Sequence, residues 1–186
     1  MPMASVNKAI FKYLKPENSD IPNLGVLYRS LPKIASEADL FTSTFPGMGV
    51  GGAIYMFLTA QSEKRIALGG PPPPYGGGGN KMRTYTLALL IVMKSDLSST
   101  EDGWDQYMAM IDGLTARIQA NRTAGTDIYG GDGSGVVFSM GEGGMVGSTG
   151  GNDIEIQHFV PRTIDGAVTL FQGLAHVTVL EDFVAT

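Results

Sequence analysis

The sequence contains no cysteine among its 186 residues, and it has only two histidines. A chain without cysteine has no disulfides, no thiolate zinc site and no cysteine nucleophile. Two imidazoles without a nearby third ligand also make a poor metal site. We therefore interpret His158 and His176, which fall on the last two predicted strands and could approach each other across a hairpin, as structural residues.

Long apolar runs and abundant charge are also missing. The longest apolar runs, AIYMFL and LALLIVM, are much shorter than the roughly 20 residues of a membrane helix, and the first residues do not resemble a secretory signal. Charged residues make up 17% of the chain and apolar residues 43%, which is typical of a globular protein. The net charge of -5 argues against a protein that holds nucleic acid across a broad face. We expect a globular protein of cytosolic origin with no membrane partner.

No motif in the chain predicts a reaction. The glycine run GGGGNKM lacks the spacing of a phosphate-binding loop and leads into a strand instead of a helix. The stretch GGDGSG opens no helix, and the scattered acids around it do not match a calcium-binding loop. We predict no catalytic, cofactor-binding or metal-binding residue, and therefore no enzyme.

The first half of the chain predicts one short helix and several strands. The helix follows Ser5, a good cap, and ends before Pro16. A short strand is predicted at 26–29. From Gly51 onward the sequence predicts two strands, AIYMFLTAQ and KRIALGG, joined by a turn at 62–64.

Two stronger patterns follow. Alternating apolar residues predict a strand that is covered on one side; they are Tyr85, Leu87, Leu89, Ile91 and Met93. A helix with Thr100 as its cap and Gly125 near its end then carries one apolar stripe. We expect the following stripe residues to face the core: Trp104, Tyr107, Met108, Ile111, Leu114 and Ile118.

After this helix come a glycine-rich hairpin region at 125–151, with a short strand at 136–140, and two terminal strands joined by a turn at 163–166. Runs of strands separated by one helix predict an α+β fold. We expect a mostly antiparallel sheet packed against one long central helix and a short N-terminal helix, with long protruding hairpin loops. All 186 residues are expected to form a single domain.

The run PPPPYGGGG lies in a predicted extended loop at 69–80. It does not join two domains, because the helix that could cover the strands before it comes after it. Two interpretations stay open: a solvated loop, and an arm that becomes ordered against a neighbouring subunit. In the second, Tyr75 is the anchor, and the candidate interface residues are Pro71, Pro72, Pro73, Pro74, Tyr75, Gly76 and Asn80.

The order of elements resembles that of the tail terminator (tail completion) proteins of long-tailed bacteriophages. The resemblance covers residues 5 to 183 and is carried by the strand RTYTLALLIVMKS, the helix STEDGWDQYMAMIDGLTARI and the terminal strand LFQGLAHVTVLEDF. It is a resemblance of pattern and involves no signature motif. The loop at 69–80 and the region at 125–151 depart from compact members of the family.

The resemblance implies a structural virion protein, made in the bacterial cytoplasm, that forms a six-membered ring on the head-proximal end of the tail tube. Its partners would be other copies, the tail tube protein and a neck or connector protein, and genomic DNA would pass through the ring without specific binding. An acidic subunit suits such a ring, because like charge discourages contact with phosphates. Two alternatives remain: another head-to-tail joining or tube-like phage protein, and a small ligand-binding α+β oligomer.

Overall fold

The computed structural model describes residues 3–30, 51–65, 80–120, 137–140, 154–164 and 168–184. They form two α-helices, a short 3-10 helix and seven strands. In chain order these are α1 (Met3–Leu14), the 3-10 helix (Pro16–Asn18), β1 (Leu24–Tyr28), β2 (Gly51–Arg65), β3 (Asn80–Ser95), α2 (Thr100–Ala120), β4 (Val137–Met140), β5 (Ile154–His158), β6 (Arg162–Ile164) and β7 (Val168–Val184).

The strands form one mixed sheet. Its main order is β1-β2-β3-β7, and the three short strands β4, β5 and β6 all pair with β7. The pair β1 and β2 is parallel, whereas the other described pairings are antiparallel. The α+β class predicted from the sequence is confirmed, and the parallel edge strand is a feature that the sequence pattern did not predict.

One face of the sheet, which we call the helix face, packs against the two helices. The alternating residues of β3 from Tyr85 to Met93 are all buried there. α1 buries Val6, Ile10 and Leu14, which recur every four residues and so lie on one side of the helix. The buried cluster on this face is the larger of the two, so this face supplies most of the described apolar core. Full burial of one such side chain stabilises the fold by about 1.5–3 kcal/mol.

The opposite face, which we call the far face, carries a smaller apolar cluster. Ala53, Tyr55, Val92 and Leu170 are buried in it. The rings of Tyr28 and Tyr55 stack there with their centroids 5.3 Å apart. Many of the side chains beside this cluster are only half-buried.

α2 lies very close to the sheet, and glycines make this approach possible. A Cβ atom on Gly103 would come within 3.0 Å of both the Phe171 ring and Ser95 Oγ. A Cβ atom on Gly52 would collide with the Met110 side chain. At Gly52 a Cβ atom would also lie 2.8 Å from the Asn23 carbonyl oxygen, so this position requires glycine, whereas at Gly103 a side chain would be tight against Phe171 and Ser95.

The turn predicted at 62–64 is wrong, because β2 runs through these residues without a break. Their partners on β3 continue in register, with Ser62 opposite Thr84 and Glu63 opposite Arg83. Glu63 Oε2 accepts a hydrogen bond from Arg83 Nε at 3.0 Å across the two strands. The only irregularity in this pairing is a bulge at Thr59, which shifts the register between Leu58 and Ala60.

Both predicted helix caps are also wrong. α1 begins at Met3, so Ser5 lies inside the helix and not before it. At α2 the capping residue is Ser99, one residue before Thr100: its Oγ accepts a hydrogen bond from the Asp102 N–H at 3.3 Å, and its carbonyl accepts one from the Gly103 N–H at 3.2 Å. These are the two bonds that an N-cap residue makes.

Some predictions concern residues outside the described ranges. The extended loop at 69–80 lies outside them except for Asn80, the first residue of β3. The region at 125–151 also lies outside them, except for the strand Val137–Met140, as does the predicted helix end at Gly125. The strand predicted from DIEIQHFVPR is present in part as β5, and residues 159–161 are not in a strand. The turn predicted at 163–166 is wrong at Thr163 and Ile164, because both residues belong to β6 and pair with β7. Residues 165 and 166 lie outside the described ranges.

Candidate functional site

An open cleft of about 400 Å³ lies where α2 begins. The first turns of α2 form one wall, and the segment between β5 and β6 contributes to the other. Phe171 of β7, which is fully buried, forms part of the apolar lining. The lining residues are Thr100, Glu101, Trp104, Asp105, Pro161 and Phe171. The cleft thus brings together residues from three separate parts of the chain.

A cluster of aromatic rings extends from this cleft into the core. The Trp104 and Phe171 centroids are 5.9 Å apart, and Tyr107 stacks on Phe171 at 5.8 Å with an angle of 20° between the ring planes. The imidazole of His158 meets Trp104 and Tyr107 edge-on, each at 5.8 Å. Edge-to-face and offset stacked pairs of this kind are favourable beyond their burial. The cluster fixes the Trp104 indole at the cleft wall.

Tyr107 and His158 form the polar contact within this cluster. The Tyr107 hydroxyl and His158 Nδ1 are 3.2 Å apart, which is a hydrogen-bond distance. Burial raises the pKa of Tyr107 from 10.0 to about 12, because desolvation disfavours the phenolate. The hydroxyl therefore keeps its proton at neutral pH, and it donates to His158 Nδ1 in the tautomer that leaves this nitrogen without a proton.

The position of the Tyr107 hydroxyl depends on Gly173. His158 lies opposite Gly173 in the pairing of β5 with β7. A Cβ atom on Gly173 would collide with the Tyr107 hydroxyl and would lie 3.2 Å from the Gln157 carbonyl oxygen. Glycine at this position therefore leaves the space that the Tyr107 to His158 contact occupies.

The two histidines do not approach each other, in contrast to the prediction. His158 lies on the helix face, where it contacts Tyr107. His176 is flanked in β7 by Ala175 and Val177, which are both buried on the helix face, so His176 lies on the far face. The interpretation of His158 as a structural residue agrees with its contacts to Tyr107 and Trp104.

The cleft has the chemistry of a surface that binds a cationic side chain. Glu101 and Asp105 are exposed and lie four residues apart on α2, so they are neighbours on one side of the helix. Trp104, which is partly exposed, supplies aromatic surface next to these carboxylates, and Phe171 is buried behind it. An aromatic ring beside an acidic rim attracts a lysine or arginine side chain through cation–π and Coulomb interactions.

The predicted stripe of α2 is divided between the core and its border. Tyr107, Ile111, Leu114 and Ile118 are buried, whereas Trp104 and Met108 are partly buried and pack against the core. Met110 is fully buried, although the sequence did not single it out. Most of the candidate interface residues are outside the described ranges, namely Pro71, Pro72, Pro73, Pro74, Tyr75 and Gly76; Asn80 begins β3.

Two further observations apply to the described residues alone. Their His, Asp and Glu side chains form no group of three that could hold a metal ion. Neither of their helices combines the length and the apolar character of a membrane-spanning helix.

No protein-family model matches the chain, and no curated protein matches it.

Proposed function

We propose that the protein is a structural subunit that assembles with copies of itself into a ring, and that it serves as the tail terminator of a long-tailed bacteriophage. In this proposal it is not an enzyme. It caps the head-proximal end of the tail tube, joins the tube to the neck, and is located in the virion. The α+β class and the order of elements support the proposal, since both agree with the resemblance found in the sequence.

The observation that carries the proposal is the difference between the two edges formed by the long strands β2 and β7. Three short strands pair with β7 along its outer edge. On the outer side of β2, the described strand β1 pairs only as far as Tyr55. Beyond it, residues 59–63 of β2 are all exposed, so neither face of this segment is covered.

Among the described residues, no strand pairs with this part of β2 on its outer edge. An open strand edge presents backbone N–H and C=O groups to which another chain can add a strand. β2, β3 and β7 contain 15, 16 and 17 residues, and strands of this length span about 50 Å. The 21 residues of α2 span only about 30 Å. The three long strands therefore extend beyond the length of α2, which suits a subunit that neighbouring molecules complete.

The proposal is tested by measuring the mass of the purified protein and imaging it by electron microscopy. Both measurements are made with and without tail tubes assembled from the tube protein of the same genome. We expect a sixfold ring that binds one end of each tube and stops its growth. A protein that stays a monomer or dimer and ignores tubes at all concentrations contradicts the proposal. Binding at the other tube end, or along the tube, indicates a different joining or tube-like protein.

The second candidate is a small ligand-binding oligomer, and the cleft at the start of α2 is the observation that favours it. A ligand site is typically a concave pocket with aromatic walls and a few polar groups, and this cleft has both features. The mass measurement separates the candidates, since a stable dimer that does not respond to tubes agrees only with the ligand-binding function.

A further inference from the structure

Exposed apolar residues flank the cleft at the start of α2. Three large apolar side chains are exposed in the described part of the chain, those of Leu97, Phe159 and Val160. Leu97 lies in the connection between β3 and α2, and the other two directly precede Pro161, which lines the cleft. Single exposed apolar residues are common, but a group of them around one concavity is typical of a surface that another protein covers.

Backbone hydrogen bonds hold both of these segments against the sheet. The Leu97 N–H donates to Ser95 Oγ at 3.3 Å, and the Phe159 N–H donates to the Gln172 carbonyl oxygen at 2.9 Å. Ser95 ends β3 and Gln172 lies in β7, and these two strands pair with each other. Val160 is 86% exposed, so its side chain adds little to the core. Its apolar surface is therefore available for contact with another protein.

The carboxylates of the cleft have no cationic partner among the described residues. Glu101 and Asp105 are exposed, and neither forms an ion pair with another described residue. Lys94 before α2 and Arg162 after the β5 to β6 segment both lie opposite Leu170 in the strand pairing. Because Leu170 is buried on the far face, both cations lie on the other side of the sheet from the cleft. A bound molecule can therefore supply the complementary positive charge.

The cleft suits an arginine side chain. Trp104 is partly exposed and presents part of its indole ring in the cleft wall, whereas Phe171 is buried behind it and does not meet an occupant. A planar guanidinium group stacks on an indole ring and donates hydrogen bonds to carboxylates at the same time. One arginine can therefore use the exposed ring and both acidic side chains together.

We propose that the cleft binds a segment of a different protein in which an arginine is flanked by apolar residues. The arginine enters the cleft, and its apolar neighbours pack on Leu97, Phe159 and Val160. The occupant is a protein segment and not a small molecule, because these three residues flank the cleft without lining it. It is not a second copy, because the net charge of -5 makes each copy acidic on balance. This inference goes beyond the proposed function and does not depend on ring formation.

The experiment measures peptide binding by the full chain through tryptophan fluorescence. Trp104 is the only tryptophan in the sequence, so its emission reports on the cleft directly. The probe is the peptide acetyl-Ala-Leu-Arg-Leu-Ala-amide, for which we expect a saturable change with a Kd on the order of 100 μM. The same peptide with citrulline in place of arginine keeps the shape but lacks the charge. We expect it to bind about 10-fold more weakly.

Neutral variants test the two carboxylates. Glu101→Gln combined with Asp105→Asn should weaken binding of the arginine peptide by about 10-fold and leave binding of the citrulline peptide unchanged. The matched control combines Asp102→Asn with Asp112→Asn, which removes the same charge from exposed positions of α2 that do not line the cleft. The control should bind the arginine peptide within about twofold of wild type.

Val160→Ser tests the apolar rim separately. We expect both peptides to bind about threefold more weakly to this variant, because it loses apolar contact. Its urea unfolding midpoint should stay at the wild-type value, since Val160 is almost fully exposed in the free protein. Weaker binding without a loss of stability is the result that a purely structural role of Val160 does not give.

Four results would overturn the inference. The first is no binding of the arginine peptide at millimolar concentration, and the second is equal binding of the arginine and citrulline peptides. The third is a Glu101→Gln, Asp105→Asn variant that is less stable but binds normally, which would assign these carboxylates to the helix dipole alone. The fourth is self-association of the wild type that Val160→Ser abolishes, because the cleft would then belong to a contact between copies.

Discussion

The helix face and the far face of the sheet are built from alternate residues of the same strands, yet they differ strongly. On β3, Leu89 is fully buried in the continuous core beneath the helices, whereas its neighbour Leu90 is half-buried on the far face. The far-face cluster of Ala53, Tyr55, Val92 and Leu170 is also much smaller than the core. Among the described residues, the comparison indicates that the contacts between helices and sheet contribute more to the stability of the fold than the far face does.

The difference between the two faces is tested most directly by replacing one leucine on each face with alanine. Leu89→Ala removes a buried side chain from the helix face and should lower the free energy of unfolding by about 3 kcal/mol. Leu90→Ala makes the same chemical change on the far face and should cost about 1 kcal/mol, because Leu90 is already partly exposed. Urea unfolding of both variants measures the difference. Equal losses would show that the far face is as important for stability as the helix face.

The helix face should also make the protein sensitive to alkaline pH. The pKa of Tyr107 is raised from 10.0 to about 12 by burial. In the unfolded chain the phenol loses its proton at the lower value, so between these values the unfolded state binds fewer protons than the folded state. The contribution of the Tyr107 phenol to the free energy of unfolding is therefore fully present below pH 10 and is lost as the pH rises to 12. This group should account for a loss of roughly 2 kcal/mol over that range.

Tyr107→Phe provides the control for this pH dependence. The variant has no phenol at this position, so its free energy of unfolding should fall less steeply over the same range in urea titrations. Wild type and variant with the same slope would mean that Tyr107 ionises as easily in the folded protein as in the unfolded one.

An effect of similar size tests the close contact between α2 and β7. Gly173→Ala places a methyl group where the Tyr107 hydroxyl lies, and we expect a loss of about 2 kcal/mol from the displaced ring and the broken contact to His158. In the Tyr107→Phe background the hydroxyl is absent, so the same change should cost less than about 1 kcal/mol. A small cost remains because the Gln157 carbonyl oxygen is still within 3.2 Å of the new methyl group.

The double-mutant cycle is measured by urea unfolding of the four chains. Additive losses would mean that the methyl group at position 173 does not act through the Tyr107 hydroxyl. The steric account of this contact would then be wrong.

The sequence predicted the parts of the fold in which one side of an element is buried. β3 was found because its apolar residues alternate, and that alternation is a direct result of burial on one face. The same reasoning failed at 62–64, where Ser62 and Glu63 are both exposed and the polar sequence resembles a turn. The apolar residues of an exposed strand do not alternate, so its own sequence does not identify it as a strand. Only its pairing with a neighbouring strand does.

The cleft could not be predicted, because its residues are distant in the sequence. Trp104, Pro161 and Phe171 meet only because β5, β6 and β7 pair beside the start of α2. Met110 was missed for a related reason. Its side chain packs over Gly52 of β2, and the pattern of apolar residues on a helix does not show where a neighbouring strand carries a glycine. Pairing between distant segments is the information that a periodic pattern lacks.

The smallest expected effect concerns the point at which α2 begins, and thus how the helix is held over its face of the sheet. Ser99→Ala removes the oxygen that accepts the Asp102 N–H and should cost about 1 kcal/mol in urea unfolding. Thr100→Ala should cost less than about 0.5 kcal/mol, because Thr100 is an exposed residue of the first turn. Ser99→Asp should retain most of the stability, since aspartate also accepts this bond and carries a charge that the helix dipole favours. A larger loss of stability for Thr100→Ala than for Ser99→Ala would show that Thr100 is the capping residue. The first turn of α2 at the cleft would then begin one residue later.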